Sequence, residues 1–229
     1  MYLSRLTPDT TAHAFRRDHC DLHQMHRTIM SGFPDTTAGT PARTHHAVLW
    51  RLDPARTGFT LYVESRTRPS WDPLDGYLSR PAEVRDLSPL LDALQPGQSF
   101  AFRLMGNPTK RLRLEDQGDP DRVSRRDNRY PILKPEAQIT WLIKQGAKHG
   151  FAIPADTGDR PDVAVTSFPR LTGLQSGQRL NKLTVSPVRY DGHLIITDRD
   201  AFIEAVANGV GPAKSYGCGL LSLAPPHRN

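Results

Sequence analysis

Three histidines, His19, His23 and His26, follow one another at i, i+4 and i+7, a spacing that puts all three on one face if the helix through them is continuous. Three readings of that face stand side by side. One or two of the imidazoles act as general acid or base, a task suited to a side chain that titrates near neutrality. The trio binds zinc, because histidines four apart on a helix can chelate, although no cysteine or carboxylate motif elsewhere completes such a site. Or the three are solvated polar residues. A break near Asp18–Asp21 would set His19 apart from the others. The second stretch with chemical content is Gly209-Val-Gly-Pro-Ala-Lys-Ser-Tyr-Gly-Cys-Gly219. Gly209, Gly211, Gly217 and Gly219 let the backbone come close to a partner, and its N–H groups together with Lys214 and Ser215 suit an anion; a plain flexible connection is the alternative.

The whole chain carries 30 Lys and Arg against 24 Asp and Glu in 229 residues, a formal charge of +6. That balance suits a polyanion such as nucleic acid, while an arginine-rich composition also fits codon bias. With histidine as the one obvious reactive group, a basic protein points to RNA cleavage by the RNA's own 2′-OH. A base removes that proton, the oxygen attacks the adjacent phosphorus in line, and an acid protonates the leaving 5′-oxygen, with no metal or cofactor required. Arg27, Lys110 or Lys214 would stabilise the charge that develops. Cys20 and Cys218 have neither disulfide-framework nor zinc-ribbon spacing. No signal-peptide core and no membrane-length apolar run occurs, so the expectation is a reduced, soluble, cytoplasmic protein.

The elements that must position these residues follow from periodicity and turn chemistry. Tyr2–Leu6 alternates as a strand, and 11–30 reads as one helix or two short ones. Residues 35–43 read as an exposed loop. Ala47–Leu52 and Phe59–Ser65 form a hairpin across Asp53–Gly58, and a short helix at 87–94 precedes the turn Gln95-Pro-Gly97, where the domain boundary is placed. Ser99–Met105 is a strand, 109–129 a charged solvated loop, and 134–148 a helix. Strands at 162–168 and 183–190 flank a glycine-rich hairpin at 173–177, Asp191-Gly192 turns into a strand at 193–197, Asp198 caps a helix at 199–207, and 220–223 is the last strand. The second half thus reads β-α-β-β-α-β, and the first half similarly with a weakly marked second helix. The fold class is α+β: two tandem ferredoxin-like (RRM-like) domains, 1–94 and 98–229, each an antiparallel sheet with helices on one face.

Five segments resemble the CRISPR-associated endoribonucleases that process precursor CRISPR RNA within the Cascade complex: Met1-Tyr-Leu-Ser-Arg-Leu6, Asp21-Leu-His-Gln-Met-His-Arg27, Phe102-Arg-Leu-Met-Gly-Asn-Pro-Thr-Lys110, Ala137-Gln-Ile-Thr-Trp-Leu142, and 209–225. The resemblance spans nearly the whole chain, and the last segment is specific in length and order. It implies metal-independent cleavage at the 3′ base of the repeat stem-loop, giving a 2′,3′-cyclic phosphate (or 3′-phosphate) and a 5′-hydroxyl, with the enzyme staying on its product. It places His26 at the family's catalytic histidine. His23 stands where the family usually has a tyrosine, and replaces its hydroxyl as a hydrogen-bonding group or supplies a second acid or base. Lys110 and Arg111, after the Asn-Pro motif, and Lys214 with Ser215, in the glycine loop, become RNA-backbone contacts by the same resemblance, as does Arg27. Arg170, Arg179 and Lys182 flank the hairpin that resembles the family's element set against the RNA stem. The implied partners are the repeat RNA hairpin and other Cascade subunits, with no membrane and a monomer in isolation. The replaced tyrosine leaves a second class open: a non-catalytic RNA-hairpin-binding subunit of the same kind of complex.

Overall fold

Two antiparallel sheets, each with its apolar face turned towards helices, account for most of the strands. The coordinates are a computed structural model that describes residues 1–36, 41–111, 129–175 and 181–226; of residues 111, 172–175 and 181–184 it describes the backbone. The first sheet collects β1 (Tyr2–Leu6), β2 (Leu49–Pro54), β3 (Phe59–Ser65) and β4 (Glu83–Asp86) in the order β2-β3-β1-β4. Between β1 and β2 come α1 (His13–Cys20), α2 (Leu22–Met30) and the short α3 (Ala42–His45). Strand alternation sends Leu6, Trp50, Leu61 and Val63 into one cluster with Phe15, Met25 and Ile29 of the helices. Burying each such side chain contributes about 1.5–3 kcal/mol.

After α4 (Ser88–Asp92) the second half repeats the pattern. β5 (Ser99–Gly106), the ribbon of β6 (Thr109–Arg111) and β7 (Arg129–Pro131), α5 (Pro135–Lys148), β8 (Phe151–Ala152) and β9 (Val163–Ser167) come first. The hairpin β10 (Leu171–Gln175) and β11 (Asn181–Val185), β12 (Val188–Ile196), α6 (Arg199–Asn208) and β13 (Leu221–Ala224) follow. Its main sheet runs β13-β5-β12-β8, with β9 also paired to β12. Leu104, Tyr190, Leu194, Phe151 and Phe202 fill the core between that sheet and its helices, and Leu91 and Leu94 beside α4 join them. Both halves place the last strand beside the first, and the first beside the third, which is the ferredoxin-like order. The fold is two such units in tandem, as expected.

Four local expectations change. Asp191-Gly192 is no turn: β12 runs through it, because Gly192 is where the backbone of Asp162 and Val163 presses against the strand and a Cβ would collide. The strand read at 183–190 is two strands, interrupted at Ser186-Pro187, where proline removes a ladder donor and the Ser186 N–H is held instead by the Asn107 side chain at 3.1 Å. The ends of the charged loop at 109–129 pair as β6 and β7, and residues 112–128 lie outside the described ones. β4 was not anticipated. It is a short edge strand with only Val84 turned inward, so it carries almost no alternation to read.

Candidate functional site

The helical stretch at 13–30 is broken by one residue. Asp21 has extended backbone (φ −139°, ψ 106°), closing α1 and opening α2, and its carboxylate accepts a hydrogen bond from the His23 N–H at 2.8 Å, an N-cap. The break removes His19 from the trio: its ring packs 4.9 Å from that of Phe59. His23 and His26, three apart on α2, stay on neighbouring positions of one face. The zinc arrangement is not formed. Among the described residues no group of three or more His, Cys, Asp or Glu is placed to hold a metal ion.

His26 is half-buried, and its Nδ1 is shut off from solvent with no hydrogen-bond partner among the described residues. Burial pushes its pKa down to about 4, and the charges of Arg43 and His23 push the same way. At neutral pH the ring is therefore uncharged, with one nitrogen free to take a proton.

The glycine loop comes to this helix from the other half of the chain. Its 3-10 turn, Lys214–Tyr216, packs against both α2 and β2, and the Trp50 indole N–H donates to the Ser215 carbonyl at 3.2 Å. Gly209 and Gly217 have φ near 78° and 79°, and a side chain on either would run into Leu49 or Trp50 respectively. Four loop N–H groups, those of Gly209, Val210, Tyr216 and Gly219, are spent on backbone carbonyls at 2.8, 2.9, 2.9 and 2.8 Å. The glycines thus seat the loop on β2, and Lys214 is left as its cation.

One residue of this constellation escaped the sequence reading. Arg43, on α3, donates to the Val48 carbonyl at 3.4 Å and to the Thr44 hydroxyl at 3.3 Å, two neutral acceptors just before the strand on which the loop sits. It has no acidic partner among the described residues, and burial lowers its pKa. Its charge reaches both His26 and Lys214: burial first, then Arg43 and Lys148, lower the Lys214 pKa, with Glu204 opposing. His149, at the end of α5, is lowered by burial and then by Lys148 and Lys214. Half-buried cations that repel one another, with Arg43 unpaired and Lys214 offset only by Glu204 and in no ion pair among the described residues, make a site for an anion. The only hint in the sequence was an arginine closing an aperiodic segment next to a strand.

The remaining predicted residues spread out from this centre. Arg27 is exposed on α2, and Arg170 is exposed at the foot of the β10–β11 hairpin, whose first strand lies against α2. Lys110 is exposed on the separate β6–β7 ribbon, opposite Tyr130. Arg111 pairs with Arg129 and Lys182 with Leu174 through the backbone; their side chains, and all of Arg179, lie outside the described residues.

A family profile described as CRISPR associated protein matches residues 1–225. The CRISPR-associated endoribonuclease Cse3 of Thermus thermophilus is 31% identical over 231 residues, which span 98% of this chain and 100% of that protein. The Cascade subunit CasE of Escherichia coli K12 is 31% identical over 239 residues, spanning 98% and 100%. A solved structure of Cse3 bound to a 19-nucleotide RNA superposes with a TM-score of 0.78 at 29% identity, covering 98% of this chain and 100% of the other.

Proposed function

The chain belongs to the CRISPR-associated protein family that includes Cse3 and CasE, and from that footing we propose that it is an endoribonuclease that processes precursor CRISPR RNA. The single observation that carries the catalytic part is His26, a neutral, half-buried imidazole beside Arg43, a cation that has no acidic partner among the described residues. Cleavage falls at the base of the repeat stem-loop. His26 takes the proton of the 2′-OH, the 2′-oxygen attacks the adjacent phosphorus, and the P–O bond to the 5′-oxygen breaks in line. The leaving oxygen takes its proton from His23 or from water that His23 orients. The ends are a 2′,3′-cyclic phosphate (or 3′-phosphate) and a 5′-hydroxyl.

Arg43 and Lys214 offset the charge that builds on the phosphorane-like transition state, a role that needs fixed cations and no metal. Arg27, Lys110, Arg111, Arg170, Arg179, Lys182 and Ser215 hold the RNA backbone by phosphate and 2′-hydroxyl contacts, as A-form RNA requires. The protein keeps its product within a Cascade assembly in the cytoplasm and is monomeric when isolated. The working division of the chain is 1–94, with the catalytic helix, and 98–229, with the glycine loop.

Incubating the chain with labelled repeat RNA in EDTA tests this. Wild type is expected to cleave and leave cyclic-phosphate ends, and His26→Ala to slow the step by about 10²–10⁴-fold. An unchanged rate in His26→Ala, or cleavage that needs added metal, sinks the mechanism. Tight binding without cleavage by wild type would select the second reading, a hairpin-holding subunit, which the histidine at position 23 in place of the family's tyrosine favours.

A further inference from the structure

A cavity of about 480 Å³ lies between the two halves, directly beneath the helix that carries His26. Its walls include parts of three elements that carry proposed RNA-contacting residues, with β2, the end of α1 and Arg189 of β12 supplying the rest. Leu22 and Met25 of α2 immediately precede His23 and His26, Tyr216 follows Lys214 and Ser215, and Phe168, Arg170 and Leu171 form the foot of the hairpin. Nothing in the cleavage chemistry uses this space.

Its surface is largely apolar, and its two carboxylates, Asp18 and Asp53, are buried and already paired to Arg17 and Arg51. Phe59 presents a half-buried ring packed on His19, and Phe168 presents another with the Arg189 guanidinium 5.8 Å from its centroid. Leu171 leaves 38% of its surface exposed at the edge. The exposed Arg170 stands at the rim. The volume is that of a site for one small molecule, too little for a duplex. Aromatic faces, an arginine plane and a positive rim are the chemistry that takes an unpaired base out of an RNA and stacks it.

We propose that this cavity receives one unpaired nucleobase of the RNA, from a nucleotide flanking the phosphate held at His26 and Arg43. The proposal rests on the reading of the chain as an RNA-processing enzyme. It adds a specificity determinant: the base seated beneath α2 fixes which phosphate reaches the imidazole above it. A base that is too large, or a strand that is paired at that point, leaves the cavity empty and the phosphate out of register.

The test is a scan. Stem-loop RNAs of the chain's own CRISPR repeat, each with a single abasic site, are titrated against wild type, Phe168→Ala and Leu171→Ala, and parallel RNAs carry 2-aminopurine at the same positions. The expected result is one position beside the cleavage site where base removal weakens binding by about 10-fold or more and where 2-aminopurine is quenched on binding. In Phe168→Ala and Leu171→Ala both the penalty and the quenching shrink. A flat scan, or a penalty that both variants keep in full, overturns the cavity assignment while leaving the nuclease reading intact. The same holds if the variants bind RNA as wild type does but lose a Cascade subunit, since the cavity then docks a protein segment. Unmodified repeat RNA that is neither bound nor cleaved overturns both readings together.

Discussion

Two groups of cations lie around β2, and they differ in what neutralises them. On the sheet's open face Arg51, 3% exposed, is paired to Asp53 at 2.9 Å and donates across to the carbonyls of Arg103 and Leu220. Arg103 in turn reaches Asp53 and Asp191, and Asp191 also meets Arg189 at 2.7 Å. Every guanidinium there has a carboxylate, so the network joins the two halves and needs no anion to neutralise it. At the other end of the strand, Arg43 acts on a neutral histidine and on Lys214, with no carboxylate paired to it among the described residues. The same residue type is cement in one place and a receptor in the other, and the presence of acidic partners decides which.

Four measurements would break or sharpen that contrast, in order of expected effect. Asp53→Ala strands a buried guanidinium and is expected to cost about 3–5 kcal/mol in stability, read by urea unfolding, with little change in the cleavage rate per folded molecule. If it impaired cleavage more than folding, the network would belong to the site. Arg43→Ala is expected to do the reverse, slowing single-turnover cleavage by about 10²–10³-fold while the unfolding midpoint barely moves; a variant with normal cleavage and lost stability would place Arg43 with the structural group.

The third measurement concerns protons. Because the His26 pKa in the folded chain, about 4, lies below its ordinary 6.5, the unfolded chain binds that proton more readily. Stability is therefore fully present above pH 6.5 and declines as the pH falls towards 4. His26→Gln is expected to flatten this window, and NMR titration of the ring should show its pKa rising when a 2′-deoxy, uncleavable repeat RNA brings its phosphate alongside. A pKa indifferent to RNA would separate His26 from the anion site. The smallest effect belongs to Lys214→Ala, which should weaken RNA binding and lower the slope of log affinity against log salt by about 1; an unchanged slope denies it a phosphate.

Much of this was legible without coordinates. Strand alternation and turn residues marked the βαββαβ order of the second half and the first half up to β3, and a helix break was expected near Asp18–Asp21. Arg43 was hidden for a different reason: its importance comes from standing between residues 17 positions before it and 171 after it, and no local pattern records such a meeting. β4 escaped because an edge strand needs few apolar residues. Gly192 misled because glycine marks turns and close backbone approaches with the same letter, and only the neighbouring strand tells them apart.

Gly209 and Gly217, pressed against Leu49 and Trp50, carry a consequence of their own. The seating of the Lys214 turn against α2 is set by how nearly the loop's backbone touches the strand beneath it, before any RNA arrives. The site is a calliper locked at one opening. On the proposed reading, repeats of different sequence would have to be accommodated at the hairpin and the ribbon, because even a methyl group on either glycine would shift the turn that carries Lys214.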